Sequence, residues 1–305
     1  MTSSHTTPDR ISGVFLYWQE ALINDGPAGW DERLSFLRQL GMDTVITQFS
    51  VIEGTALYPS RHLPHGAPAG VDPTGLLLDA ADRAGFSVHL GVASDEKHWW
   101  RIPYQPDDLP AYVAHEPERN NEISRELVEL YGDHPSLVGI YLSHEIHLGD
   151  EWAGDNMPHL VRLFNAMSDE VKRIAPHLLV STAPFFSLRG AIEQYEQRWR
   201  EFLEQTRLDI LMLQDGVGCE RHITVENMVP YYEALARACQ ATGVDLWSDL
   251  ELFDLNDPRA VTPERLTAQL SREAPHVSKI VAYSLANLTP EFTAFLPGVS
   301  SSPGG

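Results

Sequence analysis

Eight short apolar runs, several of them rich in β-branched residues, punctuate the chain. They begin near Gly13 (GVFLYW), Asp43 (DTVITQF), Ser87 (SVHLGVA), Leu137 (LVGIYLS), Leu178 (LLVSTAP), Asp209 (DILMLQD), Val244 (VDLWSDLE) and Lys279 (KIVAYSL). Near-continuous apolar character over so short a length marks strands buried on both faces, as in parallel sheets covered by helices. Between the runs lie amphipathic helical patterns. Trp30 to Leu40 carries Leu34, Leu37 and Leu40 on one stripe. Pro73 to Ala84 opens with proline in its first turn and stops before Gly85, and Asn120 to Tyr131 stops before Gly132. Further patterns run Met157 to Ala175, Ala191 to Thr206, Val225 to Thr242 and Pro263 to Ala274. The junctions Leu40-Gly41-Met42 and Thr242-Gly243-Val244 fit helix C-caps that feed the next strand.

Eight strands alternating with helices predict an α/β fold, the (β/α)8 TIM barrel. A doubly wound open sheet would show a glycine-rich phosphate turn after its first strand, where this chain has Tyr17-Trp18-Gln19-Glu20. The expected organisation is one barrel domain over residues 11–297, between a disordered start (1–10) and a disordered tail (298–305). The segments Val51 to Val71 and Ser94 to Arg119, rich in Pro, His and aromatics, are expected as loops at the barrel mouth.

Composition narrows the function. With 305 residues, 43% of them hydrophobic, the chain can fill one large core. A net charge of −21 argues against nucleic acid and anionic membrane surfaces as partners and fits a neutral ligand. No run approaches the roughly 18 apolar residues of a membrane span. Cys219 and Cys239 read as two inert thiols. Met1 to Arg10 lacks the basic and apolar stretches of a signal peptide, so a cytoplasmic location is expected.

In a parallel barrel, catalytic groups sit at the C-terminal ends of strands. Glu145 follows the run Leu137 to His144, and Glu251 follows the run Val244 to Leu250. Two carboxyl groups facing one substrate bond are the equipment for cutting a glycosidic linkage. The strand ends and the loop after the third strand nominate Trp18, Gln48, His98, Trp99, His144, Gln214, Asp215, Trp247 and Tyr283 as substrate contacts, with aromatic faces for sugar rings and amides and carboxylates for hydroxyls. Trp18 and Trp247 read equally as barrel core, and Asp215, before Gly216, as a turn former. A different strand register would exchange Glu251 for Asp249 or Asp254. Lys97 and Arg101 are the cations nearest the strand ends, and no glycine-rich cradle is visible, which disfavours a phosphorylated substrate. The expected ligand is an oligosaccharide or small glycoside, with no cofactor or metal. Two alternatives are a metal-dependent sugar isomerase or epimerase built on Glu145, Asp215, Glu251 and one histidine, and a carbohydrate-binding barrel without catalysis.

Three stretches carry a resemblance. Trp30 through Gly41-Met42-Asp43-Thr44-Val45-Ile46-Thr47-Gln48, then Gly139-Ile140-Tyr141-Leu142-Ser143-His144-Glu145, then Leu246 through Glu251-Leu252-Phe253 resemble the bacterial family called domain of unknown function 4434. The pattern is also similar to clan A of the glycoside hydrolases. That resemblance implies a retaining hydrolase with Glu145 as acid/base and Glu251 as nucleophile. The chain departs from it at His144, where clan A enzymes usually place an asparagine against the sugar 2-hydroxyl.

Overall fold

The computed structural model describes residues 8–93, 109–255, 257 and 261–288. Each apolar run becomes one strand of a closed barrel: β1 (Gly13–Leu16), β2 (Thr44–Thr47), β5 (Ser87–Gly91), β6 (Leu137–Leu142), β7 (Leu179–Thr182), β8 (Ile210–Gln214), β9 (Asp245–Glu251) and β10 (Lys279–Tyr283). Neighbours pair in parallel in the order β1-β10-β9-β8-β7-β6-β5-β2, and β2 closes on β1. The remaining strands, β3 (Val51–Ile52) and β4 (Thr55–Ala56), form a small antiparallel hairpin beyond β2. The helices are α1 (Glu20–Ile23), α2 (Pro27–Gln39), α3 (Pro73–Ala84), α4 (Leu109–Tyr131), α5 (Glu151–Ile174), α6 (Ile192–Gln205), α7 (Val229–Thr242) and α8 (Pro263–Glu273). The (β/α)8 barrel is therefore the fold. Most of the N-terminal segment and all of the tail expected to be disordered lie outside the described residues.

The barrel separates its two faces by strand period. Phe15, Ile46, Tyr141, Met212, Trp247 and Val281 meet inside it, while alternate residues such as Val14, Val45, Ile140 and Leu246 pack outward against the helices. At the N-terminal end the Lys279 ammonium donates to Asp43 at 2.8 Å and sits 5.1 Å from the Trp247 ring centre, joining β10 to the start of β2.

Two expected mouth loops carry more structure than their composition suggests. Helix α4 starts at Leu109, eleven residues before the expected Asn120. Its buried stripe continues backwards through Ser124, Asn120, Glu116 and Val113, so polar residues occupy core-facing positions and hide the helical period. Those polar groups are satisfied internally: Asn120 Nδ2 donates to Glu116 Oε1 at 2.7 Å, and Asn120 Oδ1 accepts from the Ala93 amide. Helix α5 likewise starts at Glu151 rather than Met157, with the Asp150 side chain accepting from the Ala153 amide as its cap. The Val51–Val71 segment holds the β3–β4 hairpin and is pinned to α4, because Glu126 accepts from Tyr58, from Ser60 and from the Arg61 amide.

One glycine marks how closely the strands approach at the mouth. A Cβ at Gly91 would stand 2.2 Å from the Gln48 carbonyl oxygen and 2.4 Å from that of Thr47. Both obstacles are backbone, so they can yield only if the barrel deforms. Gly91→Ala should cost about 3 kcal/mol or more of unfolding free energy, measured as a shift of the denaturant midpoint.

Candidate active site

Three inward positions of β9 descend into the barrel: Glu251, then Asp249, then Trp247. Glu251 and Asp249 open onto a cavity of about 670 Å³ at the C-terminal mouth, which Glu145 also lines. Its walls are aromatic. Phe15, Tyr141 and Tyr283 form a continuous group with ring centres 5.3 and 5.8 Å from Phe15, and Phe253 stands 5.9 Å from Tyr283. Gln48 and Gln214 add amides, and Gln48 Oε1 accepts from the Tyr283 hydroxyl at 2.7 Å.

Glu251 is 3% exposed. Its Oε2 accepts from the backbone amides of Gly218 at 2.6 Å and Cys219 at 2.9 Å, on the turn that follows β8. That turn reaches Glu251 because Gly216 adopts a φ of 71°. Burial raises the Glu251 carboxyl to about 8, the nearby Asp215 charge adds to the rise, and the two amides and Cys219 oppose it. Glu145 is partly exposed, just beyond β6. Desolvation lifts it to about 8 as well, against a single hydrogen bond from Gln214. The chemical difference between the two is in their donors. Glu251 has a prepared seat for an anion, and Glu145 does not.

Behind Glu251, on the helix side of the barrel, lies a buried polar assembly. Asp215 accepts from the Val217 amide at 2.9 Å, the Gln269 side chain at 2.5 Å and the Glu251 amide at 3.2 Å. Glu273 on α8 stands close enough to Asp215 to feel its charge, accepts from the Ser248 hydroxyl, and leaves its own Oε1 without a partner. Burial raises Asp215, but its three donors oppose the rise and leave it the more ionised of the two. Burial and that charge push Glu273 far above the usual carboxylate range, so it keeps its proton. Arg265 finishes the back of the site by donating to the Glu251 and Phe253 carbonyls.

The sequence-nominated residues divide clearly. Glu145, Glu251, Gln48, Gln214 and Tyr283 meet at the cavity. Asp215 does not, because it is one residue past the inward Gln214 and points to α8. His144, one residue before Glu145, is turned between the barrel and the helices, with Nε2 3.6 Å from Glu116 and its ring against Tyr112 and Phe164. Trp18 is core, packed edge-on against Trp30 with its indole N–H on the Phe49 carbonyl. Trp247 is inside the barrel but deep, donating to Asp245. His98 and Trp99 lie outside the described residues. Sequence reasoning missed Phe15 and Tyr141 as cavity walls, since inward strand residues read as core, and it weighed Asp249 only as a substitute for Glu251. The metal constellation weighed as an alternative is not assembled: Asp215 and His144 face away from the cavity, and among the described residues no group of three or more His, Cys, Asp or Glu is placed to hold an ion. Also among the described residues, no helix is long and apolar enough to cross a membrane. Both cysteines are free thiols, Cys219 exposed and Cys239 buried; desolvation raises both above their usual range, and the Glu251 charge adds to the rise at Cys219.

Comparison with known proteins agrees with the fold. The family model described as domain of unknown function (DUF4434) matches residues 11–294. A candidate α-L-fucosidase of Bacteroides thetaiotaomicron superposes with a TM-score of 0.73 at 21% identity, covering 90% of this chain and 85% of that one. The endo-1,4-β-mannanase of Rhizomucor miehei gives 0.58 at 12% identity (90% and 85%), and a GH18 chitinase of Pseudoalteromonas aurantia gives 0.53 at 12% (93% and 98%). No curated protein matches the chain.

The raised carboxyls make stability depend on pH. Glu145 and Glu251 have a reference value of 4.5 and titrate near 8 in the fold. The folded state therefore holds their protons more tightly, and this contribution is full below about 4.5 and lost as pH rises through 8. The melting temperature should fall between pH 6 and pH 9, and the Glu251→Gln variant should show a shallower fall over the same interval.

Proposed function

The chain belongs to the family described as domain of unknown function (DUF4434), and from that premise we propose that it is a glycoside hydrolase acting with retention of configuration. The observation that carries the reading is the pairing, in one aromatic-walled cavity, of a donor-seated carboxyl at the end of β9 with a donor-poor, desolvated one beyond β6. The glycoside hydrolases among its structural neighbours share the barrel and are consistent with this.

Glu145 starts protonated and gives its proton to the leaving-group oxygen, because its apolar setting favours the neutral acid at neutral pH. Glu251 attacks the anomeric carbon as the anion, held by the Gly218 and Cys219 amides. Positive charge building on the sugar in the transition state favours the ionised form of Glu251 when it is needed. Glu145, now a carboxylate, then takes a proton from the water that releases the glycosyl unit. The aromatic walls accept the apolar faces of a sugar ring, and Gln48 and Gln214 offer amides to its hydroxyls.

Turnover of a panel of aryl glycosides tests the proposal. Glu251→Gln should lower kcat by at least about 1,000-fold with the melting temperature retained. Glu145→Gln should spare substrates with good leaving groups more than those with poor ones, since the former need less protonation. Proton NMR of the first-formed anomer should show retention, and an inverted product would overturn that part of the reading.

The pH–rate profile should be a narrow bell near pH 8, with Glu251 ionised and Glu145 protonated in the active form. Asp215→Asn removes a negative charge behind Glu251, so the acidic limb should move to lower pH while the alkaline limb stays in place.

A further inference from the structure

Asp249 is the one carboxyl of the cavity for which the mechanism has no task. It is 3% exposed, it lies one inward step below Glu251 on β9, and its Oδ1 has no hydrogen-bond partner. A buried carboxyl oxygen left without a partner costs on the order of 1–3 kcal/mol. Of the donors on the cavity wall, the Tyr141 hydroxyl makes no hydrogen bond to Asp249, and two others are committed elsewhere. The Tyr283 hydroxyl donates to Gln48, and the Gln214 amide serves the Ala183 carbonyl and Glu145.

We propose that Asp249 is a substrate contact that selects the glycosyl unit: it binds a free sugar hydroxyl directed down into the barrel, beneath the bond flanked by Glu145 and Glu251. This inference deepens the glycosidase reading and rests on it. Asp249 is held as the neutral acid, because burial first, and then the charges of Glu251 and Asp215, oppose its ionisation. A neutral carboxyl donates one hydrogen bond and accepts others, which matches the double character of a hydroxyl. Below Asp249 the barrel is filled by Met212 and Trp247. No substituent fits there, so the selected hydroxyl is unsubstituted. Among the described residues no lysine or arginine lines the cavity, so a uronic, sialic or phosphorylated unit would find no counter-ion there. The substrate class is a neutral glycoside whose reacting unit carries a free hydroxyl opposite the cavity opening.

Two variants test this, Asp249→Leu and Asp249→Asn, assayed for kcat/KM on an aryl glycoside that the parent protein cleaves and for melting temperature. The Leu variant keeps the volume and removes both donor and acceptor. It should melt at a higher temperature than the parent, because an unpartnered polar group has gone, and it should lose at least about tenfold in kcat/KM. The Asn variant, which can still donate and accept, should keep most of that activity. Undiminished kcat/KM in the Leu variant overturns the proposal. So does joint loss of stability and activity in both variants, which would make Asp249 a structural residue. If the parent cleaves no aryl glycoside, the hydrolase reading fails separately, and the same variants are titrated calorimetrically with free glucose, galactose, mannose, xylose and fucose. Binding by the parent that is at least about tenfold weaker in the Leu variant supports the contact. Equal binding, or no binding by the parent to any of the five, overturns it.

Discussion

A carboxylate cannot be left bare inside a barrel, and the site is organised around answering that constraint at Glu251. The answer comes from outside its own strand. The turn after β8 brings two backbone N–H groups to Glu251 Oε2. Asp215, at the root of that turn, accepts from Val217 within the turn and from the Glu251 amide across on β9. One buried aspartate therefore fixes both the donors and the acceptor of the same contact. Helix α8 backs the arrangement through Gln269, Arg265 and Glu273, so the last helix of the barrel acts as the plate on which the ends of β8 and β9 are mounted.

The same burial sets the chemistry. In bulk water two glutamates would both be ionised at neutral pH. Within aromatic walls both rise to about 8, and neighbouring donors and charges separate their behaviour more than their distance from solvent does. A site of this kind does not need a strongly basic or acidic side chain. It needs two ordinary carboxyls with different hydrogen-bond partners.

Much of this was legible in the chain, and strand period explains the boundary. The eight apolar runs, and the placement of Glu145 and Glu251 at strand ends, follow from pattern alone. Which neighbour of a strand-end residue shares its cavity does not, because a shift of one position reverses the side chain. Gln214 looks inward and Asp215 outward, and His144 is outward just before Glu145. Depth was the second hidden quantity. Trp247 has the same parity as Glu251 but lies four residues earlier, about 13 Å further down the strand, in the filled part of the barrel. The early start of α4 was hidden by Glu116, Asn120 and Ser124 on its buried stripe, whose partners are visible only once the helix is folded against β5.

Gly218 carries the tightest restriction in the site. A Cβ there would stand 2.2 Å from the Phe253 carbonyl oxygen and 3.0 Å from Glu251 Oε2. A larger residue at that place would push the turn off the Phe253 carbonyl and carry with it the two amides that reach Glu251. The two positions, 33 residues apart in the chain, thus form a linked marker. Read together across relatives, they sort the members that keep a donor-lined carboxylate from those that have given it up, and they do so without a structure for each.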